Sequence, residues 1–304
     1  MFPVEIGRRL AEVSAFRPMP GGAPANVAVA ARRLGAATAF IGKVGDDAFG
    51  HHLVATLRAE GVATRGLRLD DEARTSLAFI ALPDAQAAEF VFYRNPGADM
   101  RLRPDELDEA LLRGARVFHF GSISLGAEPS RGATLRARDV ARAGGALVTF
   151  DVNYRPSLWP GPAAAVAAVR AVLPLVDVVK VNGPELALLT GTPDAAVGGA
   201  ALREMGAPLV IITRGAGGSA FHNGATGFVP PFVVDVLDAT GCGDAFMAAL
   251  LTRLIRAEAD LADGVFLSAA LRYANAAGAL TATRHGAMAA LPTAAEVAAF
   301  LSQT

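Results

Sequence analysis

The run Asp238-Ala239-Thr240-Gly241-Cys242-Gly243-Asp244-Ala245-Phe246 decides how this chain is read. An apolar, β-rich stretch over 227–237 precedes it, and an apolar helical pattern over 245–254 follows. Gly241 and Gly243 are therefore expected where a strand turns into a helix. Glycines let the backbone approach a ligand closely, and the free N–H groups of a first helical turn carry the positive end of the helix dipole. That is an anion site, suited to a phosphate. Asp244 lies in the same turn, although a carboxylate repels a phosphate. General-base work explains it: removal of a proton from a hydroxyl that attacks the phosphoryl group. Service as the N-cap of an ordinary helix explains it too. Cys242 reads as a nucleophile or, more simply, as a small residue packed between two glycines.

At 304 residues the chain has room for one large α/β domain. Hydrophobic residues make up 52% and charged residues 19%, so a large buried core is expected. The formal net charge is −1 and basic residues do not cluster, which argues against a nucleic-acid partner. No apolar run reaches the length of a membrane span, and the first residues lack a signal-peptide core. The single cysteine excludes an internal disulfide and a cysteine-based metal site, and fits the cytoplasm.

From residue 117 onward, strand and helix patterns alternate: strands over 117–120, 146–151, 176–181 and 209–213, and helices over 131–143, 162–172, 184–189 and 194–205. Runs such as Leu209-Val210-Ile211-Ile212 suit a parallel sheet buried on both faces. The expected architecture is a doubly wound, mostly parallel sheet flanked by helices, spanning 1–304 as one domain. Helices are also expected over 25–34 and 48–60 and a strand over 38–44. Residues 1–20 and about 75–95 depart from the alternation. They read as strands without helices, with a hairpin around Asp84, and could form a small β element near a site. The glycines at 215–218 match a loose dinucleotide pattern, but Ser219 to Gly224 reads as a strand and an Asn-Gly turn instead of the required helix. Gly42-Lys43 fails as a phosphate loop because Ala37 and Val44 stand where Gly and Ser/Thr are needed.

Several segments converge in order: Gly21-Gly22-Ala23-Pro24-Ala25-Asn26, Gly45-Asp46, Lys180-Val181-Asn182-Gly183-Pro184-Glu185, Thr213-Arg214-Gly215 and the glycine turn at 241–243. Together they resemble the ribokinase-like (PfkB-type) carbohydrate kinases. The segments 92–100 and 120–125 are most similar to the fructokinase branch. The resemblance implies an ATP-dependent kinase that phosphorylates a hexose hydroxyl, most naturally fructose to fructose 6-phosphate.

It also implies roles for residues. Asp244 would be the base, and the N–H groups of Gly241, Cys242 and Gly243 the anion hole for the γ-phosphoryl, with Arg155 neutralising phosphate or holding substrate. Asn182 and Glu185 would handle ATP phosphates and Mg2+, Glu185 as the metal-side carboxylate; a first-turn acid favoured by the helix dipole is the simpler alternative for it. Thr213, Gly215, Gly218 and Asn275 would line the nucleotide site. Gly22, Asn26, Arg94 and Asn153 would bind the sugar, with Asn26 alternatively only a cap. Asp238, Thr240, Thr281, Arg284 and Gly286 occupy the positions at which relatives bind a monovalent cation such as K+. The β element would close over the sugar as a lid and join two copies into a homodimer.

Two departures stand out. Relatives open with a strand carrying a sugar-gripping Asp, whereas Met1-Phe2-Pro3 begins about where that strand ends. The reading expects a start further upstream. The segment Asp151-Val152-Asn153-Tyr154-Arg155 also looks like 2-keto-3-deoxygluconate kinases, where Arg94 and Arg155 would hold a carboxylate. A third reading is a non-catalytic sugar- or nucleotide-binding regulator on a kinase fold.

Overall fold

A computed structural model describes residues 1–83, 89–257 and 261–304. The expected turn at Asp84 lies outside them. β1 (Phe2–Pro3) pairs antiparallel with β2 (Phe16–Arg17), and α1 (Ala23–Arg33) follows, with Pro24 in its first turn. β3 (Ala39–Gly45), α2 (Ala48–Ala59) and β4 (Ala63–Asp70) form a parallel crossover unit. β5 (Leu77–Ala81) and β6 (Glu89–Tyr93) pair antiparallel. After α3 (Glu109–Arg113) comes the alternation: β7 (Val117–Gly121), α4 (Ser130–Ala143), β8 (Leu147–Asp151), α5 (Pro162–Val172), β9 (Val178–Asn182), α6 (Gly183–Thr190), α7 (Ala195–Glu204) and β10 (Leu209–Thr213). The hairpin β11 (Ser219–His222) and β12 (Thr226–Val229) is followed by α8 (Cys242–Ala257), α9 (Gly264–Ala282), α10 (Ala287–Ala290) and α11 (Ala294–Ser302).

The central sheet runs β12-β11-β10-β9-β8-β7. β7 through β10 are parallel and β11 and β12 antiparallel. Side-chain alternation explains how it is covered on both faces. Leu209 and Ile211 of β10 enter one core with α1, α8 and α9, while Val210 and Ile212 enter a second core with α5, α6 and α7. The same parity sends Phe118, Phe120, Val148, Phe150, Val179 and Val181 to the second core. It therefore leaves His119, Thr149, Asp151 and Lys180 on the α8 side, a polar stripe in an otherwise apolar sheet.

Two sequence expectations need correction. The stretch 227–237 is a strand only as far as Val229; Pro230 and Pro231 lack N–H donors and end the ladder, so the glycine turn follows an irregular segment. α8 begins at Cys242, so Asp244 sits inside its first turn. β4 gave no sequence signal, because Arg65 and Arg68 interrupt its apolar alternation.

Residues 1–17 belong with the β5–β6 hairpin, not with the central sheet. The Met1 amino group donates to Ala78 O at 2.7 Å, and Ile80 N–H donates to Met1 O at 3.0 Å. Among the described residues, nothing pairs with the outer edge of β7, and β3–β4 stands apart as its own pair. A cavity of about 1650 Å3 extends from the β5–β6 hairpin past the glycine turn and between α1, β3 and β7. No helix among the described residues is long and apolar enough to cross a membrane.

The hairpin is anchored at one point of the β3–β4 unit. Asp47 caps α2 through Gly50 N–H, and its two oxygens also take the Thr75 hydroxyl and N–H, each at 2.8 Å. Gly50 packs so closely there that a Cβ would lie 1.9 Å from Gly45 O. Gly50→Ala is therefore expected to force this junction apart and to destabilise the protein by more than about 2 kcal/mol in chemical denaturation. An unchanged midpoint would show that the junction is loose.

Candidate active site

The C-terminal ends of β7 to β10 meet at one level. Gly121 pairs with Asp151, Asp151 with Lys180, and Thr213 with Asn182. Parallel sheets place ligands beyond this edge, and the first turn of α8 arrives over it. Gly241 holds φ +85°, a left-handed conformation that glycine adopts without strain, and turns the chain into the helix. The N–H groups of Gly241 and Gly243 have no acceptor among the described residues, and both glycines line the cavity. The Cys242 N–H lies 3.3 Å from Ala239 O, so it is partly engaged and serves an anion less well than expected. Burial, then Asp238 and Asp244, push the Cys242 thiol up to about 12, which makes it a packing group and not a nucleophile.

Asp244 is buried at 8% exposure. Its Oδ2 accepts from Asn26 Nδ2 at 2.7 Å, linking α8 to α1. Burial pushes its carboxyl up to about 6 against the opposing Asn26 hydrogen bond; Asp151 adds to the rise, while Lys180 and Arg155 oppose it. It is not the helix cap. Asn26 thus spends one of its two amide N–H donors on Asp244, and its buried Oδ1 has no protein partner. That free acceptor suits a sugar hydroxyl. Gly22, at φ +115°, leaves open space beside it.

Arg94 comes from the exit of β6. Its Nε donates to Asp99 Oδ2 at 2.6 Å and its Nη2 to Ile123 O at 3.4 Å. Asp99 in turn accepts from Ser76 Oγ at 2.5 Å. Phe90 and Phe92 stack with ring centroids 6.1 Å apart and line the same cavity. Asn153, in the loop after β8, is the one non-glycine residue at positive φ among those described. Arg155 follows it, with its guanidinium carbon 5.9 Å from the Phe90 ring centre.

On the other side, Asn182 and Glu185 form a capping box at the start of α6. Asn182 Oδ1 accepts from Glu185 N–H at 2.9 Å, and Glu185 Oε2 accepts from Asn182 N–H at 2.8 Å. Glu185 Oε1 takes Tyr154 N–H at 2.7 Å. Burial and then Asp151 raise its pKa. Among the described residues, no group of three or more His, Cys, Asp or Glu could hold a metal. One fixed carboxylate with spare lone pairs fits Mg2+, which keeps waters and takes its other oxygens from phosphates. Thr213, at the end of β10, lines the cavity beside them.

Of the remaining candidates, Asp238 and Thr240 line that cavity, and Gly215, Gly218, Asn275, Thr281, Arg284 and Gly286 do not. Gly215 and Gly218 form the β10–β11 turn, and a Cβ on Gly218 would lie 2.4 Å from Val229 O. Asn275 Nδ2 donates to Pro230 O at 3.0 Å, so both pack on the 229–231 segment. Asp238 spends its oxygens on Thr240 N–H and Gly286 N–H, each at 2.9 Å, and the Thr281 carbonyl accepts Arg284 N–H. The Arg284 side chain is drawn to Glu296 at 2.6 Å. Two groups went unread in the sequence: the Asp151–Lys180 pair and Asp99. A lysine inside the apolar run Val178-Val179-Lys180-Val181 was the available signal for the first.

A profile described as pfkB family carbohydrate kinase matches residues 3–294. Probable fructokinase-2 of Arabidopsis thaliana is 45% identical over 304 residues, spanning 98% of this chain and 92% of its own. Two solved structures share the fold closely. A fructokinase from Vibrio cholerae O395 with fructose, ADP and calcium bound superposes with a TM-score of 0.86 at 36% identity, covering 95% of this chain and 93% of its own. A ribokinase II from E. coli, in complex with ATP and Mg2+, gives a TM-score of 0.87 at 28% identity, covering 100% and 96%.

Replacing Asp244 tests the site. Asp244→Asn keeps the Asn26 hydrogen bond but removes the base, so kcat should fall roughly 10²–10⁴-fold. The wild-type rate should decline below pH 6, the level to which burial lifts the carboxyl. A folded pKa above the unfolded one means that stability is lost as pH rises through it. Asp244→Asn should therefore raise stability at neutral pH by about 1–3 kcal/mol, read as a higher Tm. A variant that is both less active and less stable would contradict the electrostatics.

Proposed function

Because the chain belongs to the pfkB family of carbohydrate kinases, we propose that it transfers the γ-phosphoryl group of ATP to the 6-hydroxyl of fructose. One observation carries this reading: a buried carboxylate tuned to about 6 stands beside unpaired backbone N–H groups and faces a cavity with an aromatic, arginine-bearing hairpin across it. Asp244 accepts the hydroxyl proton as the oxygen attacks. The N–H groups of Gly241 and Gly243 meet the charge that develops on the transferred oxygens; fixed donors at such a place are worth several kcal/mol. Asn26 Oδ1 and Arg94 orient the sugar. Asn182, Thr213 and Glu185 face the nucleotide. Glu185 would hold Mg2+, which would neutralise charge on the phosphates. Gly215, Gly218 and Asn275 would shape the base-binding side, and the backbone carbonyls of the loop at 238–240 and 281–286 would hold a monovalent cation. The reaction takes place in the cytosol.

The hairpin β5–β6 with residues 1–17 acts as the lid, since transfer to water must be excluded before the phosphoryl group reacts. Its inner face presents Phe90, Phe92 and Arg94. Arg94 is already ion-paired with Asp99, which leaves Arg155 alone for a substrate carboxylate. This favours a neutral sugar over 2-keto-3-deoxygluconate. The outer side exposes Val4, Val91 and Tyr93, each 41% or more accessible, and a second copy of the chain covers it in a homodimer.

A coupled ADP-release assay over neutral sugars and sugar acids should give the highest kcat/KM with fructose. A sugar acid that outruns fructose would overturn the substrate, and absence of ADP release with every compound would favour a binding protein without turnover. Arg94→Ala should raise the fructose KM roughly 10–100-fold, the worth of a charged hydrogen bond, and leave the ATP KM nearly unchanged. Sedimentation should show a dimer that Tyr93→Glu converts to monomer; a wild-type monomer with full activity defeats the dimer.

A further inference from the structure

Lys180 is one of two buried lysines among the described residues, at 5% exposure, on the α8 side of β9. Its ammonium can donate three hydrogen bonds and makes one, to Asp151 Oδ2 at 2.7 Å. The other Asp151 oxygen is buried without a partner. The Lys180 Nζ lies 3.3 Å from where a Cβ of Gly243 would stand, so the charge rests against the first turn of α8, one residue from Asp244. A buried ion pair with both members under-satisfied is costly to keep for stability alone.

We propose that Lys180, anchored on Asp151, is the fixed countercharge of the Asp244 carboxylate and a positioning residue for phosphoryl transfer. The proposal rests on the reading of Asp244 as the base.

The groups around Asp244 set the sign. Asn26 faces it from α1 as a neutral donor, Lys180 from β9 and Arg155 from the loop after β8 as cations, and Asp151 from the end of β8 as an anion. Glu185 of α6 and His119 of β7 face the Lys180–Asp151 pair; burial, followed by the nearby Lys180 charge, lowers His119 to about 4, so that ring is neutral at physiological pH. Cys242, on the same turn as Asp244, stays a thiol. Without Lys180, Asp244 would keep a like charge at Asp151 and only the weaker help of Arg155.

The test is the pH dependence of kcat in the intact enzyme with saturating ATP, Mg2+ and fructose. Lys180→Met should move the acidic limb up by about one pH unit, and Asp151→Asn should move it down by a comparable step, since nearby charges shift a carboxyl by that order. The double variant Lys180→Met/Asp151→Asn should return the limb to near its wild-type position. A purely structural role lowers kcat at every pH without moving the limb, and an unmoved limb in the folded variants overturns the inference. Should Lys180→Met fail to fold, Asp151→Asn decides alone: a limb that stays or moves up refutes the countercharge. Asp244→Asn separates this outcome from failure of the base. If that variant keeps normal turnover, the base reading falls first; if it is inactive while the limb ignores Lys180 and Asp151, only the countercharge falls.

Discussion

The 2.7 Å hydrogen bond from Asn26 Nδ2 to Asp244 Oδ2 is the contact on which the rest of the site depends. It joins the first turn of α1 to the first turn of α8 across the open end of the sheet. A carboxylate at that depth loses solvation, and one neutral donor compensates for only part of it. The remainder appears as the raised pKa, which leaves Asp244 ionised at neutral pH but basic enough to accept a proton. Stability is given up at the place where reactivity is needed.

The surrounding structure divides the work by face and by edge. Parity along β7, β8 and β9 sends apolar side chains to the α5–α7 side and a polar stripe of His119, Thr149, Asp151 and Lys180 to the α8 side. The glycine turn then brings backbone donors to the same edge, while the two hydrogen bonds of the capping box at α6 and a third from Tyr154 N–H fix Glu185. Across the cavity, Asp47 and Thr75 tie the β5–β6 hairpin to the β3–β4 unit, and Asp99 fixes Arg94. Asp151 and Lys180 stand on the central sheet, Asp244 on α8, and Arg94 at the exit of a separate two-stranded piece.

Much of this was legible in the sequence. Continuous apolar runs in 176–181 and 209–213 announced a sheet buried on both faces, and the helical patterns over 25–34, 48–60 and 131–143 correspond to α1, α2 and α4. The turn at 241–243 with Asp244 read as an anion site beside a carboxylate, and Gly241, Gly243 and Asp244 all line the cavity. What was hidden depends on tertiary partners. β4 carries two arginines whose apolar stems and partners exist only in the fold, and 227–237 looks like a strand until the prolines at 230 and 231 are weighed as missing donors. The sequence offered Asn26 to the sugar and could not show that Asp244 takes one of its donors. Nor could it show that Asp99 neutralises Arg94, because the pairing depends on how 94–101 folds back.

The central claim is that Asp244 removes the proton from the acceptor hydroxyl. A ternary-complex structure with fructose and a non-hydrolysable ATP analogue tests it most directly. The account predicts the 6-hydroxyl within about 3 Å of an Asp244 oxygen, with the terminal phosphate facing the N–H groups of Gly241 and Gly243. A sugar that presents another hydroxyl, or one whose 6-hydroxyl lies beyond hydrogen-bond reach of Asp244 while the terminal phosphate stands in line with a different carboxylate, would contradict it.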